Sequence, residues 1–351
     1  MTESAEITRY GLLSSGEAVD RIRLRSTALQ VDVITFGARV ISLLTPDVTG
    51  VVADVTLGLA DLAAYEADRD YLGACVGRFA NRIRGGRFEL GGQTFQIPLN
   101  ESTTALHGGT RGFERMLWEA EVGAGAEVRL SRVSRDGEMG FPGDLDVTVT
   151  YRLQDADLMV EYEATTSATT IVNLTNHSYF NLAGGGNVEA HIITVDADHF
   201  LPVDDDMIPT GERRPVDGTP LDLRSPVAIG SGLRKGSDEQ LRKARGYDHT
   251  FVVGRDGEID VSGDVRRAAR VEEPGSGRIV ELWTDRPGVQ VYTGNSLDGT
   301  AVGRDGTMYR QTDAFCLEPQ YFPDSPNQPD FPSTVLRPGD TYRARDIYRF
   351  A

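Results

Sequence analysis

Residues 171–182 read IVNLTNHSYFNL and residues 315–321 read FCLEPQY. Between them they hold the side chains best suited to moving protons, the imidazole of His177 and the carboxylate of Glu318. If 171–182 is a strand, its side chains alternate between two faces. Asn173, Thr175, His177, Tyr179 and Asn181 then share one face, and Val172, Leu174, Asn176, Ser178, Phe180 and Leu182 share the other. Two readings of the polar face stand side by side. It is a solvated sheet face, or it lines a hydrogen-bonding cleft; amides, a histidine and a tyrosine suit the cleft better than the Lys, Glu and Arg of solvated faces. Glu318 shares a face with Gln320, while Phe315, Leu317 and Tyr321 take the other. A carboxylate in so apolar a run is either half of a structural ion pair or a functional acid or base, and both readings are open. Burial would raise its pKa and a neighbouring cation would lower it.

Three further stretches carry multi-donor or acidic side chains. GRFANRI at 77–83 places Asn81 and Arg82, and LHGG at 106–109 places His107, in glycine-flanked segments where backbone and ligand can approach closely. Taken alone, His107 reads better as a loop histidine with a hydrogen-bond partner than as a ligand contact. Asp248, in GYDHTF, is a strand-entry cap or a ligand acceptor, with His249 turned to the opposite face; His191 and His199 read as structural. Other chemistries lack their motifs. There is no GxxxxGK[ST], no HExxH, no Cys/His set with structural zinc spacing and no GxSxG. Gly184-Gly185-Gly186 lacks the strand and helix of a dinucleotide site, and the contiguous Asp204-Asp205-Asp206 cannot supply a calcium loop. No metal and no cofactor is expected.

The elements that must position these residues are strands. The chain has 351 residues with 39 glycines scattered between short alternating apolar runs, the pattern of many strands joined by turns. Arg87–Leu90 and Gln93–Ile97 flank Gly91-Gly92 as a hairpin with a primed turn. Leu145, Val147, Val149, Tyr151 and Leu153 alternate and are answered by Leu158, Val160 and Tyr162 across an acidic turn. Residues 278–284 and 288–294 read as another strand pair broken at 285–288. Helices are confined to Asp61–Ala67 and Asp238–Arg245, and the polar stretch 230–246 reads as an exposed excursion. No βαβ alternation, internal repeat or long linker appears. The expectation is an all-β protein, a large antiparallel β-sandwich forming a single domain over residues 1–351.

With 36 Lys plus Arg against 53 Asp plus Glu, the net charge is −17, which argues against nucleic acid and anionic membrane as partners. No run reaches the length of a membrane span, and the N-terminus has no apolar signal core, so a cytoplasmic location is expected. Cys75 and Cys316 form no disulfide framework. Asn100, Asn173 and Asn176 begin sequons but are read as hydrogen-bonding side chains.

In order along the chain, GRFANRI, the 85–100 hairpin, LHGGTRGFERMLW, FPGDLDVTVTYRL, NLTNHSYFNLAG, DADHFLPVDDDMIPTGE, YDHTF, PGVQVYTGN and LEPQYFPDSPNQPDFPSTVLRPGDTY resemble the aldose 1-epimerase, or galactose mutarotase, family. The likeness thins at 1–20, 121–138 and 213–246. It implies a galactose mutarotase-like supersandwich that interconverts the α- and β-anomers of a free monosaccharide such as glucose or galactose. It implies Glu318 as catalytic base, His177 as catalytic acid and His107 as an assistant near the ring oxygen. Arg82, Asn81, Asp248 and Gln290 would contact sugar hydroxyls, and Thr250, where Asn is common, would tune the substrate. Opening a hemiacetal needs one base and one acid and no cofactor. Reference pKa values of ~4.3 and ~6.5 would leave Glu318 ionised and His177 partly protonated near neutrality. A glycoside hydrolase using Glu318 and Asp248, which would require carboxyls about 5–9.5 Å apart, and a non-catalytic sugar binder are the rival readings. The particular aldose, and the choice between monomer and homodimer, stay open.

Overall fold

Period-two alternation builds the largest sheet. In Leu145–Gln154 the odd-numbered apolar residues are buried and the polar residues between them face outward. Asp157–Thr166 pairs with this strand in continuous antiparallel register from Leu145↔Thr166 to Gln154↔Asp157. The computed structural model describes residues 3–254 and 259–351, and strands dominate it. A nine-stranded antiparallel sheet runs in the spatial order Glu119–Val122, Glu127–Ser134, Leu145–Gln154, Asp157–Thr166, Tyr342–Phe350, Ile279–Thr284, Arg266–Glu272, Ile192–Val195, Val227–Ala228. The C-terminal strand thus lies in the middle of this sheet, between Asp157–Thr166 and Ile279–Thr284. A five-stranded meander from Ser4 to Asp54 supplies Ile22, Leu24, Val31 and Val33 to the same core as Val128, Leu130, Val147 and Val149. Each such side chain withdrawn from water is worth about 1.5–3 kcal/mol.

A third sheet carries Asp248, Gln290 and Glu318. Its order is Arg214–Pro215, His199–Phe200, Asp248–Val252, Gly288–Tyr292, Cys316–Gln320. The architecture is the expected all-β sandwich of antiparallel sheets. The 87–96 hairpin forms with Gly91 and Gly92 both at positive φ. Both expected helices form, as Leu62–Ala67 and Glu239–Ala244, capped by the side chains of Asp61 and Asp238.

Three local expectations change. Ile279–Thr284 and Gly288–Tyr292 are strands but not partners: the first belongs to the nine-stranded sheet, the second to the third sheet. The segment between them crosses from one sheet to the other, and Arg286 within it turns inward. Its Nη1 donates to Leu174 O at 2.9 Å, and its guanidinium lies over the rings of Tyr162 and Tyr342. Residues 171–182 are not one strand; only Thr170–Ile171 and Thr175–Asn176 form ladders. Every side chain from Ile171 to Leu182 is nevertheless buried, which rules out the solvated face. The amides act inside the protein. Asn173 donates to Ala80 O and Tyr321 O and accepts from Tyr321 N, Asn176 donates to Gly73 O and Tyr151 Oη, and Asn100 donates to Leu106 O and Gly109 O. Finally, 230–246 is not only an excursion, because Lys243, Ala244 and Arg245 form part of a cleft wall.

Candidate active site

Three neighbouring strands of the third sheet bring their side chains to one cleft. Cys316–Gln320 carries Glu318. It pairs with Gly288–Tyr292 through Gln290↔Glu318, and that strand pairs with Asp248–Val252 through Asp248↔Tyr292. His177 follows the short strand Thr175–Asn176 and is pinned through its backbone, its N–H donating to Ala74 O and its carbonyl accepting from Gly73 N. Asn81 and His107 both take positive φ and clasp each other. His107 N donates to Asn81 O at 3.0 Å, and Asn81 N donates to His107 Nδ1 at 3.1 Å. Gly108 makes this possible: with φ +92°, a Cβ there would lie 2.1 Å from Gly77 O.

The cleft has a volume of about 440 Å³ and is open to solvent on one side. Glu318, His177, His107, Arg82, Asn81 and Asp248 all line it. Gln290 does not. Its Nε2 donates to Asp248 Oδ1 at 2.6 Å and its Oε1 accepts from Thr250 Oγ1, so it braces Asp248 from behind. The hydroxyl of Thr250 acts one step further back, through Gln290. His249 turns to the far side and packs edge-on to Phe200, and His191 accepts from Leu182 N.

His177 Nε2 lies 3.6 Å from Glu318 Oε1, both side chains almost fully buried. The imidazole stacks on Tyr179 at 5.0 Å and meets His107 edge-on at 5.2 Å. Glu318 Oε2 is buried without a hydrogen-bond partner. Burial changes the ionisation expected from reference values. It pushes the Glu318 carboxyl well up, with Asp248 adding to the rise and Arg82 opposing it. It lowers His177 to about 4 and His107 well below its ordinary value. Burial of both groups thus favours a proton on Glu318 over one on a charged His177.

One nitrogen or oxygen from each of His107, His177 and Glu318 lies within 4.8 Å of the others, a spacing a metal ion can span. The hydrogen bonding of His107 does not suit one. Its Nδ1 accepts from Asn81 N, so the neutral ring carries its proton on Nε2 and offers the cleft an N–H instead of a lone pair.

Sequence reasoning passed over Glu101. Its carboxylate takes Arg82 bidentately, from Nε at 2.7 Å and Nη2 at 3.0 Å, and lines the cleft. An acid five residues before LHGG, with Thr104 donating to it at 2.9 Å, was the available signal. The aromatic walls Tyr71, Tyr179 and Tyr292 were also missed as a group, because they come from separate segments.

An antiparallel sandwich with a buried imidazole–carboxylate pair at a polar cleft defines a class, and comparison with known proteins gives its family. The aldose 1-epimerase family model matches residues 20–349. The chain belongs to that family. It is 46% identical over 347 residues to the galactose mutarotase of Rattus norvegicus, covering 98% of each chain. It is 35% identical over 345 residues to the aldose 1-epimerase of Escherichia coli K12, covering 97% of each. Among solved structures, galactose 1-epimerase from Lactobacillus acidophilus superposes with a TM-score of 0.86 at 26% identity, covering 100% of this chain and 99% of that one. No helix among the described residues is long and apolar enough to cross a membrane.

Proposed function

We infer that the protein is a mutarotase: it opens the ring of a free aldose by acid/base catalysis and recloses it on either face of the aldehyde. The observation that carries the catalytic assignment is Glu318 Oε2, a buried acceptor without a partner, facing a polar cleft beside an imidazole nitrogen. The anomeric hydroxyl supplies the missing donor.

In this mechanism the bound sugar shifts the pair's proton from Glu318 to His177, so that the closed ring faces a Glu318 carboxylate and a His177 imidazolium. Glu318 takes the proton of the anomeric hydroxyl while His177 Nε2–H protonates the ring oxygen and the bond from the anomeric carbon to that oxygen breaks. The open aldehyde is left beside a neutral Glu318 and a neutral His177. Rotation about the first carbon–carbon bond and reversal of both transfers give the other anomer. Burial favours the neutral pair, so ring opening runs from an ion pair to the protonation state that the cleft prefers. Arg82, and a sugar hydroxyl on Oε2, hold the carboxylate form in the closed complex. His107 directs its Nε2–H into the cleft as a further donor. Arg82, Asn81 and Asp248 hold hydroxyls remote from the reacting bond, which orients the sugar and leaves the aldehyde end free to turn.

Asp248 is a poor second carboxylate for hydrolysis, because Gln290 occupies Oδ1 and Arg82 stands 3.7 Å from Oδ2. The core is continuous from Ile22 to Phe350, which supports one domain, and the buried free thiols Cys75 and Cys316 suit a reducing cytoplasm. Polarimetry on freshly dissolved α-anomers of several aldoses tests the assignment. Faster decay of rotation, unaffected by chelation and without release of reducing ends from glycosides, is expected. Release of reducing ends with no effect on rotation overturns it.

A further inference from the structure

Arg82 and Asp248 face each other without closing to a direct hydrogen bond. Arg82 Nη1 is 3.7 Å from Asp248 Oδ2, beyond hydrogen-bond range for opposite charges that are both withdrawn from water. Left to themselves, a guanidinium and a carboxylate at such a distance close to a direct, often bidentate, pair. Each is held back from behind. Glu101 grips the Nε and Nη2 edge of Arg82, and Thr104 Oγ1 in turn donates to Glu101 Oε2. Gln290 Nε2 fixes Asp248 Oδ1. The edge of Arg82 left over is Nη1, and the oxygen of Asp248 left over is Oδ2, the two atoms that face each other.

We propose that Glu101 is a positioning residue: by engaging Arg82 from the side it holds open a slot, alongside Arg82 Nη1 and Asp248 Oδ2, that is filled by a single sugar hydroxyl. An oxygen about 2.8 Å from each of these two atoms, 3.7 Å apart, caps the pair from the cleft side, accepting from Nη1 and donating to Oδ2. A hydroxyl is the one common sugar group that donates and accepts at once, so the slot selects for a hydroxyl at one ring position. Glu101 is itself about a third exposed and lies on the loop before Thr104–Leu106, so its replacement leaves the core intact. Without it, Arg82 swings onto Asp248 and the slot closes. The proposal rests on the reading of this cleft as an aldose site.

The test uses the full-length protein, with sugar affinity measured by calorimetry and turnover by polarimetry. The probes are the best-bound aldose and its monodeoxy analogues. For wild type, removal of one particular hydroxyl should weaken binding roughly ten- to hundredfold, the range for a hydrogen bond to charged groups. Glu101→Ala should weaken binding of the parent aldose by a similar factor with kcat changed less than about threefold, and should erase the penalty for that one deoxy position. Glu101→Gln, which keeps an acceptor, should recover part of the affinity, and Thr104→Val should show a smaller loss of the same kind. A Glu101→Ala protein that binds the aldose as wild type does, or that loses affinity while keeping the full deoxy penalty, overturns the proposal. Binding that follows the expected pattern in a protein without mutarotation would instead overturn the enzymatic reading and leave the slot standing.

Discussion

Glu318 and Asp346 are both withdrawn from water, at 2% and 0% exposure, and each has one oxygen without a hydrogen-bond partner. In both, burial is the first cause of a raised pKa. Both lie near an arginine, the half-buried Arg82 or the buried Arg286, that opposes the rise. Their surroundings differ. Asp346 is enclosed by the middle strands of the nine-stranded sheet, where Thr284 donates to it at 2.6 Å and Arg286 is covered by Tyr162 and Tyr342. Glu318 opens on a cleft, across 3.6 Å from an imidazole nitrogen. A perturbed carboxyl is therefore not by itself a candidate for catalysis; it becomes one where its unpaired oxygen can be reached by substrate and where a second proton carrier stands opposite.

The largest expected difference between the two is in turnover. Glu318→Gln should reduce mutarotation by roughly a hundred- to ten-thousandfold, with a melting temperature no lower than wild type, because a neutral amide replaces a group that is costly to charge. Asp346→Asn should leave turnover within about twofold. Polarimetry corrected for the spontaneous rate, beside thermal denaturation, checks both, and near-normal turnover in a folded Glu318→Gln protein ends the mechanism.

The pH profile sharpens the same contrast. The active pair holds one proton between its two members. Reference pKa values predict an acid limb from Glu318 and an alkaline limb from His177, but burial exchanges them. A second proton enters near the His177 value of about 4, and the last proton leaves only at the raised Glu318 value. For the free enzyme, kcat/KM should fall below about pH 4–5 and fall again on the alkaline side only well above the ordinary carboxylate range. A drop centred on the unperturbed histidine value would show that the imidazole is not desolvated as the fold places it.

A smaller effect is expected at the far end of the cleft. Asp248→Ala and Arg82→Ala should weaken sugar affinity roughly ten- to hundredfold, with a lesser loss in kcat because remote binding energy orients the reacting end. Unchanged affinity in both variants would remove their assignment as anchors.

Much of this was legible in the sequence, for local reasons. The 145–166 hairpin and the Gly91-Gly92 turn follow from alternation and positive-φ glycines, and the ordered family motifs single out Glu318, His177 and His107. What the sequence hid depends on which distant segments meet. Residues 278–294 look like a hairpin because nothing local reveals that Arg286 is drawn to Leu174 O, 112 positions away. That Gln290 also ties Asp248 to Thr250 becomes visible only once the strands are paired. Protonation order was hidden for the same reason, since desolvation depends on walls such as Tyr71, Tyr179 and Tyr292, contributed from three separate parts of the chain.

The smallest and most specific expectation concerns Asp346 and is read in stability, not activity. Its pKa is raised to about 7 in the folded protein, by burial first, with Asp285 adding and Arg286 opposing, against ~3.9 in an unfolded chain. Between those values the folded chain keeps a proton that the unfolded chain has released, so this group makes the protein more stable as pH falls from about 7 toward 4. The slope is at most about 1.4 kcal/mol per pH unit. Asp346→Asn cannot titrate and loses that slope. Whatever offset the substitution introduces at pH 8, the unfolding free energy of wild type minus that of Asp346→Asn should therefore grow on going from pH 7 to pH 5. Denaturant titrations at the two pH values measure it directly. A difference that stays constant, or shrinks, would mean that Asp346 is ionised throughout and that Arg286 outweighs burial. The contrast with Glu318 would then lie in charge as well as in access to the cleft.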